Sequence, residues 1–318
     1  MEIESVLAKI PKERILNVEY KSGGLRPTLH FYTFPSRVQA GILSEIDSEK
    51  LLSLYNCQNI KKFALNHKRS LCYQQLTTIV HRLAPNLVDL HWRGTVPKYY
   101  IPPDFQCLKR LKIDLAYDDI SQFLQGAQST LTTLELELNS VSVNKDCFQF
   151  ANCLTQLPNL KYLNIETNNY DLVVALNLSK LKQKVKHVSL TLKNVDFCLS
   201  FSKNRGALSE VDDLKLVSCN MGDGVMKLIG ACSQTLQSLS IMKKACLTFC
   251  LPNFCMMKLR VLNVERAANV RGLSLFLSSC PVLQAGVYII HTPHSVGGGY
   301  INLGGKFLSF VKFLNSLE

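Results

Sequence analysis

The feature that most constrains this chain is a repeat. An apolar-x-x-apolar-x-apolar pattern recurs at Ile60/Phe63/Leu65, Leu87/Leu90/Trp92, Leu108/Leu111/Ile113, Leu131/Leu134/Leu136 and Leu160/Leu163/Ile165. It continues at Val185/Val188/Leu190, Val211/Leu214/Leu216, Leu236/Leu239/Ile241 and Leu259/Leu262/Val264. A degenerate copy begins at Leu283, with Gly286 and Tyr288 in the later slots. Successive copies start 27, 21, 23, 29, 25, 26, 25, 23 and 24 residues apart. So regular a period is the signature of stacked structural units. The second half of each copy alternates, which makes a short strand with one face inward. Intervening segments carry apolar residues at helical spacing: Ile120, Phe123 and Leu124 in one, Val225, Leu228 and Ile229 in another. One unit cannot bury its apolar face alone, whereas stacked units share a continuous core. The expected architecture is an α/β solenoid, with a curved parallel sheet on a concave side and helices on a convex side. Composition suits such a core: 47% of residues are hydrophobic and 51 of 318 are leucine.

Intervals of 20–29 residues are those of leucine-rich repeats. Residues 211–241 read VDDLKLVSCNMGDGVMKLIGACSQTLQSLSI. This unit resembles the cysteine-containing leucine-rich repeat of F-box proteins, within the ribonuclease-inhibitor-like superfamily. Cys219 matches the turn cysteine, Asp223 the acid that opens the helix, and Cys232 the helix-end cysteine. The acid suits its place because a side-chain oxygen there caps free N–H groups. Cys280-Pro281-Val282-Leu283 is similar to the same family's junction, and Ala84-Pro85-Asn86-Leu87 and Leu157-Pro158-Asn159-Leu160 are weaker echoes. The resemblance spans residues 59–290 as about ten repeats, with one unit matching the cysteine subtype. It implies a leucine-rich-repeat solenoid acting as a substrate-recognition adaptor, which presents a protein target to a ubiquitin-ligase scaffold. Residues 10–16 open like an F-box, but no helical pattern follows. Instead, 15–20 and 28–34 look like two strands joined through Ser22-Gly23-Gly24, a hairpin. Residues 1–58 are then expected to form an N-terminal cap of hairpin plus helix. Val38, Ile42, Leu43, Ile46, Leu51, Leu52 and Leu54 supply the helical apolar positions. Residues 291–318 are expected to form a loop and a closing helix, with Phe307, Phe310, Val311 and Leu314 at helical spacing.

The chemistry expected from the remaining motifs is sparse. The start MEIESVLAKIPKER contains no apolar run of leader length. The longest stretch without Asp, Glu, Lys or Arg, 272–305, is broken by Ser278, Ser279, Pro281 and Gln284. A membrane span is therefore not expected. Twelve cysteines are then expected to be reduced and buried, in the cytoplasm or nucleus. Gly297-Gly298-Gly299 lacks the Lys-Ser/Thr that follows in a phosphate-binding loop. Cys246, Cys250 and Cys255 have no fourth ligand at a zinc-like interval. His291 and His294 flank Pro293 in an expected loop, and Lys180, Lys182, Lys184 and Lys186 form a basic run before a strand. His187 lies two residues from Ser189 without a third orienting group. The expectation is no enzyme, no metal and no cofactor.

The third, fifth and seventh positions of each copy point outward onto the concave face. Read off in order, they include Lys62, Asp89, His91, Arg93, Arg110, Lys112, Asp114, Glu135, Glu137, Tyr162, Glu166, His187, Asp213, Lys215 and Glu265. The chain has 36 Lys and Arg against 24 Asp and Glu, a net +12, yet this face has five cations and seven anions. Its sign changes from basic at Arg93–Lys112 to acidic at Glu135–Glu166. Alternating patches with one tyrosine suit a protein partner. Nucleic acid asks for a continuous basic track with stacking aromatics. The expected partner-binding residues are Arg93, Arg110, Lys112, Glu135, Glu137, Tyr162, Glu166, His187 and Lys215, with Tyr162 the anchor. Two alternatives stand beside the adaptor: a generic repeat scaffold without a ligase role, and a basic binder of nucleic acid or another acidic surface.

Overall fold

The computed structural model describes residues 15–22, 28–33, 37–42, 60–67, 80–93, 103–114, 120, 124–138, 146–169, 185–195, 210–219, 224–242, 254–267, 276–283, 285–290 and 300–302. The chain divides into two compact units, Met1–Glu137 with Asn152–Tyr162, and Leu138–Ala151 with Leu163–Glu318. Within each unit the strands stack in a parallel β-solenoid.

Unit 1 carries β1 (Ile15–Ser22), β2 (Thr28–Thr33), β3 (Arg37–Ile42), β4 (Lys62–His67), β5 (Asp89–Arg93), β6 (Arg110–Asp114) and β7 (Thr133–Leu138). Their order in the sheet is β3-β2-β1-β4-β5-β6-β7. From β4 onward the pairing is parallel, with Phe63, Leu90, Leu111 and Leu134 in one register row. The alternation in the sequence explains the register. A slip of one residue would turn every apolar side chain from core to solvent. Leu90, Trp92, Leu111, Ile113, Leu134 and Leu136 are all buried, as are the leading Leu87, Leu108 and Leu131.

The expected hairpin is present: β1 and β2 run antiparallel, and β1 joins β4 in parallel. The helical reading of Val38 and Ile42 is corrected. They lie on β3, which pairs antiparallel with β2 through Val38↔Phe31 and Ile42↔Thr28. Val38, Ala40 and Ile42 alternate, so the same residues satisfy period two as well as a four-residue step, and pairing with β2 decides between them. Leu43, Ile46 and the leucines at 51, 52 and 54 lie outside the described residues, as does the proposed closing helix with Phe307 and Phe310.

Unit 2 carries β8 (Tyr162–Thr167, whose first residue belongs to unit 1), β9 (His187–Lys193), β10 (Asp213–Val217), β11 (Ser238–Met242), β12 (Val261–Ala267), β13 (Ala285–Ile290) and β14 (Tyr300–Asn302), in that order across the sheet. Leu190, Leu214, Leu239, Leu262 and Gly286 share one row, so the degenerate copy at Leu283 does form a strand. β14 returns antiparallel to β13.

One register differs from the repeat as spaced in the sequence. The motif aligns Val188 with Leu214, but β9 places Leu190 opposite Leu214, two residues further on. A two-residue slip keeps the same side chains inward, so the core tolerates it. β9 gains a buried Leu192 and reaches to Lys193. The turns after β9 and β10 use left-handed residues, Asn194 and Ser218, both at φ 54°. Asn is among the few non-glycine residues that adopt this region readily.

The described residues show little helix between the strands, and helices on a convex side are not shown. Among the described residues the connecting segments hold α1 (Asp146–Thr155), α2 (Gly224–Ala231) and helical residues at 80–83, 120, 124–126 and 276–278. In α2 the predicted face is buried at Val225, Leu228 and Ile229. The described part of the link between β5 and β6, 103–109, has no helix; buried Phe105 fills the core there instead. A copy interval of 21 residues leaves little chain for a helix at 1.5 Å rise per residue.

Candidate functional site

In unit 1 the outward strand positions form a band of paired charges. Arg93 Nε meets Asp114 Oδ2 at 2.8 Å. Arg110 donates from Nε and Nη2 to Glu135 Oε1, at 2.9 and 2.5 Å, and its Nη1 lies 4.0 Å from Asp89. Each pair joins neighbouring strands: parallel register places Arg93 beside Asp114 and Arg110 beside Asp89, while Arg110 reaches Glu135 two positions beyond its own register partner Thr133. The hydrogen bond to Glu135 holds the Arg110 guanidinium proton more firmly than usual.

His91 sits inside this band. Burial, then the neighbouring Lys112, holds its imidazole below the ordinary value; Arg93 acts in the same direction, and Glu135 and Asp89 oppose. Tyr162 is 50% exposed, the largest exposed apolar group described in unit 1. Glu137 is half-buried, while Lys112 makes no ion pair with a described residue. The structure therefore places the expected Arg93, Arg110, Lys112, Glu135, Glu137 and Tyr162 on one unit. Arg93, Arg110 and Glu135 are tied into ion pairs.

Unit 2 presents the remaining predicted residues. His187 Nε2 lies 2.9 Å from Asp213 Oδ2, and its Nδ1 3.9 Å from Asp212 Oδ2. Asp212 also accepts from the Val188 N–H at 2.9 Å and from Gln237 Nε2 at 3.2 Å. Glu166 is bound by Lys193, a residue the repeat reading missed. The motif ended at Thr191; only the two-residue slip of β9 lengthens the strand enough to include Lys193. Lys215 is exposed. Beyond it the face turns to small polar groups, with Asn263 Nδ2 donating to Ser240 Oγ at 3.2 Å. The side chains of Asn66 and Glu265 lie outside the described set.

The cysteines divide by burial. Cys219, in the predicted turn slot, donates its thiol to Leu192 O at 3.3 Å and to Val217 O at 3.6 Å. Burial raises its proton affinity, and it pushes the thiols of Cys232 and Cys280 up to about 12. Such thiols are poor nucleophiles, since reactivity belongs to the thiolate. Cys255 is exposed and donates to Ser279 O at 3.2 Å; Cys246, Cys250, His291 and His294 lie outside the described residues. Among the described residues no group of three or more His, Cys, Asp or Glu is placed to hold a metal ion. No described helix is long and apolar enough to cross a membrane.

Compared with protein-family models the chain matches none, and a comparison with curated proteins finds no match.

Proposed function

We propose that this chain is a protein-recognition module of leucine-rich-repeat type, docking a protein partner on the outward strand face of unit 1. The observation that carries the reading is the band Arg93, Arg110, Lys112 and Glu135 with the half-exposed Tyr162 beside it. Charges of both signs on β5–β7, with an exposed aromatic group on the next strand, offer complementarity and one anchor. Support for the leucine-rich-repeat assignment comes from the 21–29-residue period, the parallel rows of inward leucines and the buried Cys219 and Cys232. The finer role is that of a substrate adaptor of a ubiquitin ligase, working in the cytoplasm or nucleus without catalysis or cofactor. It rests on the likeness of residues 211–241 to the cysteine-containing repeat of F-box proteins.

Proximity labelling in cells tests the docking surface. The wild-type chain is expected to label a set of neighbours that the Arg110→Ala/Glu135→Ala/Tyr162→Ala variant loses. Identical sets from the two would remove the outward face as the docking surface. Pull-down of the linker protein that bridges F-boxes to the ligase scaffold separates the roles: its absence leaves a scaffold without ligase function. A basic binder would instead show RNA or DNA affinity falling steeply with salt.

A further inference from the structure

The residue just before each outward strand face forms a ladder of its own. In unit 1 its members are Lys61, Val88, Lys109, Thr132 and Lys161. The carbonyls of Lys61, Val88, Lys109 and Thr132 each accept two N–H groups from the next copy, from Val88 and Asp89 onto Lys61 through to Lys161 and Tyr162 onto Thr132, all at 2.8–3.1 Å. Over the last rungs lies an open cleft of about 440 Å³ whose walls include Gln106, Cys107, Lys109, Thr132, Asn159 and Lys161.

The polar groups of this cleft are unbalanced. No carboxylate lines it, and Lys109 and Lys161 make no ion pair with a described residue. The backbone N–H groups of Lys109, Thr132 and Lys161 are already used by the ladder. Thr132 Oγ1 donates to Lys109 O at 3.0 Å, and Asn159 Nδ2 to Ser129 O at 2.7 Å. Lys109, Lys161 and Gln106 are exposed, so the cleft walls carry two cations with no carboxylate to offset them. Adjacent strands lie about 4.8 Å apart, so Lys109 and Lys161 straddle Thr132 with Cα atoms about 10 Å apart. Their stems are long enough for both ammonium groups to converge on one oxyanion. The volume lies within the range of small-ligand sites. No aromatic ring lines the cleft to stack a nucleotide base.

We propose that this cleft binds a phosphomonoester dianion, carried by a phosphorylated side chain of the partner protein. The carrier half of the proposal rests on the protein-docking reading above. Two point cations match a group of charge near −2 with three acceptor oxygens.

Cys107 reports occupancy, because it is exposed in the cleft wall; Cys255, exposed in unit 2, serves as the control. The full chain is alkylated with N-ethylmaleimide and each cysteine is followed by peptide mass spectrometry. Phenyl phosphate at twice its Kd is expected to slow Cys107 about threefold by mass action, with Cys255 unchanged. The Lys109→Gln/Lys161→Gln variant should lose this protection, and Lys109→Arg, which keeps the charge, should retain it. Protection that persists in the double Gln variant, or that phenyl sulfate or sodium chloride at equal ionic strength reproduces, overturns the site. So does an unchanged Cys107 rate at saturating phenyl phosphate. A phosphoserine peptide should protect where its unphosphorylated twin does not; failure there overturns the phosphoprotein source. If the double Gln variant loses protection yet labels the same cellular neighbours as wild type, the phosphoprotein source falls and the outward-face reading stands untouched.

Discussion

At the scale of single residues, strand register decides what each outward charge does. Arg110 is 52% exposed, and an exposed pair such as Arg110–Glu135 contributes at most about 1 kcal/mol. These pairs therefore serve recognition more than stability. His91 differs because it is partly buried among cations. Its folded value lies below its unfolded one, so between the two the unfolded chain binds the extra proton. Stability from this group is present above the unfolded value near 6.5 and is lost as pH falls through the folded value. Urea titrations should show the wild type losing stability below about pH 6.5 more steeply than His91→Gln, with a ceiling of about 1.4 kcal/mol per pH unit. Equal slopes would remove His91 as a source of the pH dependence. The sequence identified His91 as an outward residue. It could not identify the desolvation or the flanking Lys112, because those depend on which strand lies beside β5.

At the scale of elements, α2 shows how closely a repeat is filled. Its apolar face at Val225, Leu228 and Ile229 was legible from spacing alone. Gly230 was not: a Cβ there would stand 2.8 Å from the Phe254 ring at Cδ1 and Cε1. Gly230→Ala gains about 0.5–1 kcal/mol of helix propensity. It loses about 1–3 kcal/mol by overpacking. The expected net effect is destabilisation by about 1 kcal/mol, measured by denaturant unfolding. In a Phe254→Ala background the clash is gone and Gly230→Ala should turn neutral or stabilising. A double-mutant cycle without coupling would remove the contact as the reason for glycine. The β9 register belongs to this scale too. The motif placed Val188 opposite Leu214, and only strand pairing revealed the slip that brings Lys193 to Glu166. Likewise Val38 and Ile42 fit either helix or strand by spacing, and β2 selected the strand.

At the scale of the whole chain, stacked repeats hold together through nearest neighbours. Leu239, fully buried between Leu214 and Leu262 in the register row, tests this within unit 2. Leu239→Ala is expected to cost about 2–5 kcal/mol. Hydrogen exchange should show protection falling most in β10, β11 and β12, and less toward β8 and β13. A uniform loss across unit 2 would mean that it opens as one cooperative block rather than as a chain of neighbours. The net +12 also takes on meaning at this scale. Much of the outward face is neutralised by its own pairs, and Lys109 and Lys161 place cations at the edge instead.

The sequence by itself determined the period, the parallel strands and the inward leucines. Alternation and a fixed copy length leave few ways to bury apolar surface without turning polar groups inward. It also identified the outward residues, since they occupy the complementary positions. Tertiary structure alone decided which of them meet: Arg110 with Glu135, His187 with Asp213, and Lys193 with Glu166. It also decided that Lys109 and Lys161 share a cleft. Those outcomes depend on pairing between residues more than twenty positions apart, where two-residue slips keep the hydrophobic pattern intact while changing every polar neighbour.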